Sequence, residues 1–166
     1  MIGQTVSHYR ILEKLGEGGM GVVYKAEDMK LKRIIALKFL PQRLSSSDQD
    51  KERFLQEAQS ASALNHPNVC TIYDIQEFNG QTFIVMEYVD GKTLREAKHT
   101  ISMKQAVEVA AQIAEGLAAA HEKGIIHRDI KADNIMIRPD GRAQIMDFGL
   151  AKLQGVSLLT KAGSTI

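Results

Sequence analysis

Asp129, Lys131 and Asn134 fall within one six-residue stretch, and Asp147-Phe148-Gly149 begins thirteen residues after Asn134. Each of these residue types has a definite chemical use. A carboxylate beside a hydroxyl can take up its proton. A lysine two positions further on can neutralise negative charge that develops near by. The oxygens of an asparagine and an aspartate are hard donors that suit a small divalent cation.

A second group lies near the N-terminus. In Gly16-Glu17-Gly18-Gly19-Met20-Gly21 the missing side chains let backbone N–H groups approach phosphate oxygens. The same string opens a helix in dinucleotide-binding folds. Here the strand-like Val22-Val23-Tyr24-Lys25-Ala26 follows, so the glycines are expected between two strands; a ligand-free hairpin turn has the same local pattern. Lys38 lies inside Ile34-Ile35-Ala36-Leu37-Lys38-Phe39-Leu40, a strand apolar on both faces, where an ammonium needs a reason to be. The plain alternative is an edge lysine whose head reaches water. Glu57 falls on the apolar face of its helix, between Ala61 and Leu64 and near Phe54, and a carboxylate there needs a cation. The expected ion pair is Lys38–Glu57. Glu52 is a rival well around the helix, and a solvated Glu57 at the helix edge is the plain alternative.

The elements that must position these residues follow from local pattern. Tyr9–Leu15, Val22–Glu27 and Arg33–Leu40 read as strands. Ser46 with Gln49 makes a capping box for a helix reaching about Asn65. Val69–Glu77 and Thr82–Tyr88 form a hairpin around Asn79-Gly80. Asp90-Gly91 marks a boundary. Thr93 with Glu96 caps a short helix, and Ser102 with Gln105 caps a long one, Met103–Lys123, ended by Gly124. Ile135–Arg138 and Ala143–Met146 flank a turn at Pro139-Asp140-Gly141. The polar residues of the long helix, from Lys104 to Lys123, share one narrow arc. Val107, Val109, Ala110, Ile113, Ala114, Leu117 and Ala118 occupy the rest, so the helix needs neighbours on several sides.

Composition narrows the classes. The 166 residues are 44% hydrophobic and 25% charged, with a formal net charge of +1, which implies no nucleic-acid partner. No apolar run is long enough to span a membrane and no leader is evident, so a cytoplasmic location is expected. The lone Cys70 rules out an internal disulfide framework and reads as a small buried hydrophobe.

His127-Arg128-Asp129-Ile130-Lys131-Ala132-Asp133-Asn134 followed by Asp147-Phe148-Gly149 resembles the catalytic and metal-binding loops of protein kinases. The resemblance runs from about Tyr9 to Ile166. Lys131, Gly18–Gly21 and Phe83–Gly91 are similar to serine/threonine kinases of bacterial type. It implies an α+β, protein-kinase-like two-lobe fold: residues 1–89 as the small β-rich lobe and hinge strand, residues 90–166 as part of the helical lobe. It also implies transfer of the γ-phosphate of Mg-ATP to a Ser or Thr hydroxyl of a protein substrate.

The resemblance implies roles residue by residue. Asp129 is the base, and Lys131 neutralises the transferred group. Lys38, paired with Glu57, holds the α/β-phosphates. Asn134 and Asp147 bind Mg²⁺. Gly16, Glu17, Gly18, Gly19, Met20 and Gly21 cover the phosphates of ATP. Val23, Ala36 and Met136 sandwich the adenine, Met86 guards the inner pocket, and the Glu87 carbonyl and Val89 N–H read the adenine edge. His127 and Phe148 pack. Arg128 pairs with a phosphorylated loop residue, for which Thr160 is favoured over Ser164 and Thr165, with autophosphorylation as the source.

The stretch after Thr165 shows no Ala-Pro-Glu-like motif, so the expectation is the N-terminal portion of a catalytic domain, truncated in its activation segment and poorly soluble alone. The alternative is an inactive nucleotide-binding or interaction fragment.

Overall fold

The computed structural model describes residues 1–18, 21–41 and 48–148. The expected cap residue Ser46, the loop residues Gly19 and Met20, and Gly149, Thr160, Ser164 and Thr165 lie outside the described residues. The chain divides into two compact units. One comprises Met1–Leu55 with Thr71–Tyr88, the other Gln56–Cys70 with the chain from Val89 onward. The boundary runs through helix α1 (Asp48–Ser62).

The first unit is an antiparallel six-stranded sheet. Its strands are β1 (Thr5–Val6), β2 (Tyr9–Gly18), β3 (Gly21–Asp28), β4 (Arg33–Phe39), β5 (Ile72–Phe78) and β6 (Gln81–Glu87), in the order β1-β2-β3-β4-β6-β5. Side chains alternate faces along a strand, and here the alternation sorts core from site. Ile35, Leu37 and Phe39 of β4 join Ile11, Ala26, Phe83 and Val85 in one buried cluster. Phe39 stacks on Phe83 at 5.1 Å, and Tyr9 meets Phe83 edge-on at 6.3 Å. Each fully buried Ile, Leu or Phe contributes about 1.5–3 kcal/mol, enough to lock the register of a strand whose other face carries a lysine.

Turns hold that register. Asn79 and Gly80 both take positive φ, 51° and 74°, as a two-residue type I′ hairpin requires. Gly18 pairs with Gly21 at the end of the β2–β3 hairpin. Gly21 has φ 114°, and a Cβ there would stand 1.9 Å from the Phe39 carbonyl oxygen, so only glycine fits.

The second unit holds the C-terminal part of α1, then β7 (Lys92–Thr93), α2 (Leu94–Ala97), α3 (Met103–Glu122), a 3₁₀ turn (Ala132–Asn134), β8 (Ile135–Ile137) and β9 (Ala143–Ile145). The three strands form a small sheet in the order β7-β8-β9. Of the three expected capping boxes, two fall among the described residues and both are present: Thr93 with Glu96 on α2, Ser102 with Gln105 on α3. The α3 C-terminus closes as a Schellman motif. Ile125 N–H donates to the Ala120 carbonyl, Gly124 N–H donates to the His121 carbonyl, and Gly124 has φ 71°.

The fifth strand begins later than its pattern suggests, at Ile72 rather than Val69. Val69 instead forms an isolated parallel bridge with Ile145. Cys70 N–H donates to the Ile145 carbonyl at 2.9 Å, and Ile145 N–H donates to the Asn68 carbonyl at 2.8 Å. Asn68 Nδ2 donates to the Ala143 carbonyl at 2.8 Å and to Gln112 Oε1 at 2.9 Å. The backbone groups of 68–70 are thus satisfied within the second unit and cannot extend β5. Gly116 of α3 admits this close approach, since a Cβ there would meet the Asn68 carbonyl oxygen and Ile145 Cδ1 at 3.0 Å.

The other side of α3 is bare. Met103 is 81% exposed and Val107 63%, and Ala110, Ala114 and Ala118 continue the exposed stripe. Among the described residues no helix is long and apolar enough to cross a membrane.

Candidate active site

In the first unit the face of the sheet opposite its core carries Val23, Ala36, Lys38, Ile84 and Met86. Lys38 stands across from Val23 on β3 and from Ile84 on β6, and Ala36 stands across from Met86. Lys38 is 3% exposed. Its burial excludes the edge lysine with its head in water. Glu87 ends β6, with its N–H donating to the Thr71 carbonyl at 2.9 Å. Tyr88 follows, its ring under Lys25 Nζ at 4.6 Å.

Gly16 and Gly18 behave unlike Gly21. A Cβ built on either meets nothing within 4 Å. The fold itself therefore makes no steric demand for glycine at 16 and 18. Bare backbone over open space lets N–H groups approach phosphate oxygens closely.

In the second unit His127, Asp129, Lys131, Asn134 and Met146 form one hydrogen-bonded cluster. Asn134 Nδ2 donates to the Asp129 carbonyl at 2.8 Å and to Asp129 Oδ2 at 3.1 Å. Lys131 Nζ donates to the same Oδ2 at 2.6 Å. The 3₁₀ turn brings Asn134 back, its N–H donating to the Lys131 carbonyl at 2.9 Å. The Lys131 hydrogen bond holds the Asp129 carboxyl below the usual carboxylate range; burial opposes it, and the Asn134 hydrogen bond adds a smaller lowering effect. With Nδ2 engaged, the Asn134 amide is oriented and its Oδ1 remains the acceptor.

His127 organises the back of this cluster. It is 1% exposed. Its Nδ1 accepts from Asp129 N–H at 3.2 Å, which leaves Nε2 to donate to the Met146 carbonyl at 2.7 Å. Its ring meets Phe148 edge-on at 4.7 Å. Met146 N–H donates to the Asn134 carbonyl at 2.8 Å. Both neighbours of Asp147 are therefore anchored, and Asp147 takes φ 56°, in the left-handed region that non-glycine residues other than Asn, Asp and His seldom adopt. Asn134 Oδ1 and the Asp147 carboxylate are hard oxygen donors of the kind Mg²⁺ takes.

Two further features had no counterpart in the sequence pattern. Arg128, with φ 68°, lies 3.8 Å from Glu57 Oε1, so the arginine expected to meet a phosphorylated loop residue has Glu57 as a neighbour. Arg95 holds Asp133 by a two-pronged contact, Nε to Oδ1 at 2.5 Å and Nη2 to Oδ2 at 2.7 Å. The partners are 71 and 38 residues apart, separations that no helical or strand period spans. Lys38 belongs to the first unit and Glu57 to the second. Val89 is buried, and Met136 is half-buried on β8.

Comparison with known proteins bears on this geometry. The family described as protein kinase domain matches residues 9–164. The probable serine/threonine-protein kinase pknA2 of Bifidobacterium longum is 44% identical over 161 residues, covering 93% of this chain and 21% of that protein. Serine/threonine-protein kinase PrkC of Bacillus subtilis is 41% identical over 170 residues, covering all of this chain and 26% of that protein. The chain thus spans about a quarter of the length of these curated relatives. The crystal structure of the Mycobacterium tuberculosis PknI kinase domain superposes with a TM-score of 0.79 at 30% identity, covering 91% of this chain and 63% of that one. The PpkA-294 apo form superposes with a TM-score of 0.82 at 24% identity, which speaks to the fold alone.

Proposed function

Since the chain belongs to the protein kinase family, as a relative of bacterial serine/threonine kinases, we propose that it carries the nucleotide- and phosphoryl-handling part of an ATP-dependent protein serine/threonine kinase. Residues 1–89 are its small lobe and hinge strand, and residues 90–166 its catalytic and metal loops with part of the activation segment. The observation that supports this reading best is the Asn134–Asp129–Lys131 cluster, a carboxylate whose Oδ2 accepts from both an amide and an ammonium.

The proposed roles are these. Asp129 accepts the hydrogen bond of the acceptor hydroxyl and aims its oxygen at the γ-phosphate. Because Lys131 keeps its carboxyl acidic, Asp129 is a weak base. It orients first and takes the proton late, which suits a loose phosphoryl-transfer transition state. Lys131 then shares its charge with the transferred group. Asn134 and Asp147 would hold Mg²⁺, which when bound would neutralise charge on the phosphate oxygens. Lys38 is the proposed holder of the α/β-phosphates. Gly16–Gly21 cover them with backbone N–H groups. Val23, Ala36, Met136, Glu87 and Val89 are the proposed adenine contacts. Thr160 is the proposed autophosphorylation site.

The test is Mg²⁺-dependent ATP binding together with phosphate transfer to a Ser/Thr protein acceptor, in the parent and in Asp129→Asn. Transfer that Asp129→Asn abolishes while binding persists supports the enzyme. The bare stripe on α3 favours a second reading, a binding or interaction module without transfer. Binding without transfer in the parent would select it.

A further inference from the structure

We propose that Arg95 is a positioning residue for the 129–134 loop, acting on it through Asp133. The inference rests on the reading of that loop as the phosphoryl-transfer site.

The contact is a two-pronged fork on a carboxylate, each prong of the guanidinium meeting its own oxygen. Both side chains are well exposed, 60% and 41%, and exposed pairs add little to overall stability. Its consequence is local. Asp133 precedes Asn134 directly, and Asn134 is the residue whose amide restrains Asp129. On the far side of Asn134 the chain is held by pairing, with Thr93 opposite Met136 and Lys92 opposite Ile137. The Thr93 that makes this pairing also caps α2 through a reciprocal bond with Glu96. One short segment, residues 92–96, therefore grips the chain on both sides of Asn134: by strand pairing after it and by the Arg95 fork before it.

The internal bonds of the turn are few. Asn134 N–H reaches the Lys131 carbonyl, and the Asn134 carbonyl is reached by Met146 N–H. A three-residue 3₁₀ turn has weak hydrogen-bond geometry of its own, so an external clamp on Asp133 has leverage over where Asn134 Oδ1 points. Four residues of α2 are too few to be held by helix cooperativity. The capping box makes α2 a rigid base for the fork.

The experiment compares parent, Arg95→Ala, Arg95→Lys and the charge exchange Arg95→Asp with Asp133→Arg, in the full chain. Calorimetry reads the Mg²⁺ concentration needed for half-maximal ATP affinity, and kcat and KM are read alongside. A clamp behind a metal ligand predicts about a tenfold higher Mg²⁺ requirement in Arg95→Ala, with kcat falling more than the KM for ATP. Arg95→Lys stays impaired, because an ammonium cannot form the fork. The exchange recovers most of the loss. A Mg²⁺ requirement within twofold of the parent in Arg95→Ala overturns the proposal. So does failure of both Arg95→Ala and the exchange to fold, which would make the pair a stability element. A parent with no Mg²⁺-dependent ATP binding overturns the site reading itself and this proposal with it.

Discussion

The Asn134 side-chain amide donates to two oxygens of a single residue, the carbonyl and the carboxylate of Asp129, at 2.8 and 3.1 Å. One amide therefore fixes both the backbone and the side chain of the proposed base. Asn134→Ala removes both restraints together with a proposed metal ligand. We expect kcat to fall about 10²–10⁴-fold, the range typical of a lost acid–base group, and the Mg²⁺ requirement to rise. Asp129→Asn should lose comparable activity with the Mg²⁺ requirement unchanged. Steady-state kinetics at several Mg²⁺ concentrations separate the two.

The acidity of Asp129 carries a pH signature. Its folded carboxyl is held low, chiefly by Lys131 and next by Asn134, whereas an unfolded aspartate titrates near about 3.9. The folded state then binds fewer protons than the unfolded state in the acid range. Its contribution to stability is complete above the unfolded value and is lost as pH falls through the depressed folded one. Denaturant midpoints of parent and Asp129→Asn should differ by a constant amount from pH 7 to 5 and converge below. Lys131→Ala should bring the convergence to higher pH. A gap that widens on acidification would contradict this assignment.

The glycines of the β2–β3 hairpin separate fold from ligand. Gly21→Ala forces a Cβ against the Phe39 carbonyl at a φ of 114°. It should cost on the order of 1–3 kcal/mol or more, visible as a lower unfolding midpoint without any nucleotide. Gly18→Ala meets open space. It should leave the midpoint in place and weaken ATP binding.

His127→Ala should damage the scaffold before the chemistry. It strips partners from the Asp129 N–H and the Met146 carbonyl and leaves a hole against Phe148. Lost hydrogen bonds and lost packing together predict a destabilisation of about 2–4 kcal/mol. Chemical denaturation measures it. A variant with parental stability and no activity would instead make His127 a participant in the reaction.

The bare stripe on α3 predicts self-association. Met103→Lys with Val107→Glu should lower the sedimentation coefficient at high concentration and leave circular dichroism unchanged, since both side chains are exposed.

Local pattern and local chemistry were legible from the residues. The caps at Thr93 and Ser102, the Asn79-Gly80 turn and the Gly124 stop each depend on bonds spanning a few residues. The loop from His127 to Asn134 was equally readable, because its decisive bonds join residues two to five apart. The apolar run around Lys38 foretold a strand buried on both faces. The late start of β5 was not foretold, since Asn68 and Cys70 spend their backbone bonds on Ile145, 75 or more residues away.

What the sequence by itself determined is the set of reactive residue types and the elements that present them, since capping, alternation and turn chemistry act over a handful of residues. Only the tertiary structure decided that Gly21 is demanded by the Phe39 carbonyl while Gly18 is not, that Arg128 faces Glu57, and that Arg95 grips Asp133. Those relationships arise when the chain brings distant groups to within a few ångströms, and steric exclusion and charge pairing at that range leave no period in the sequence to read.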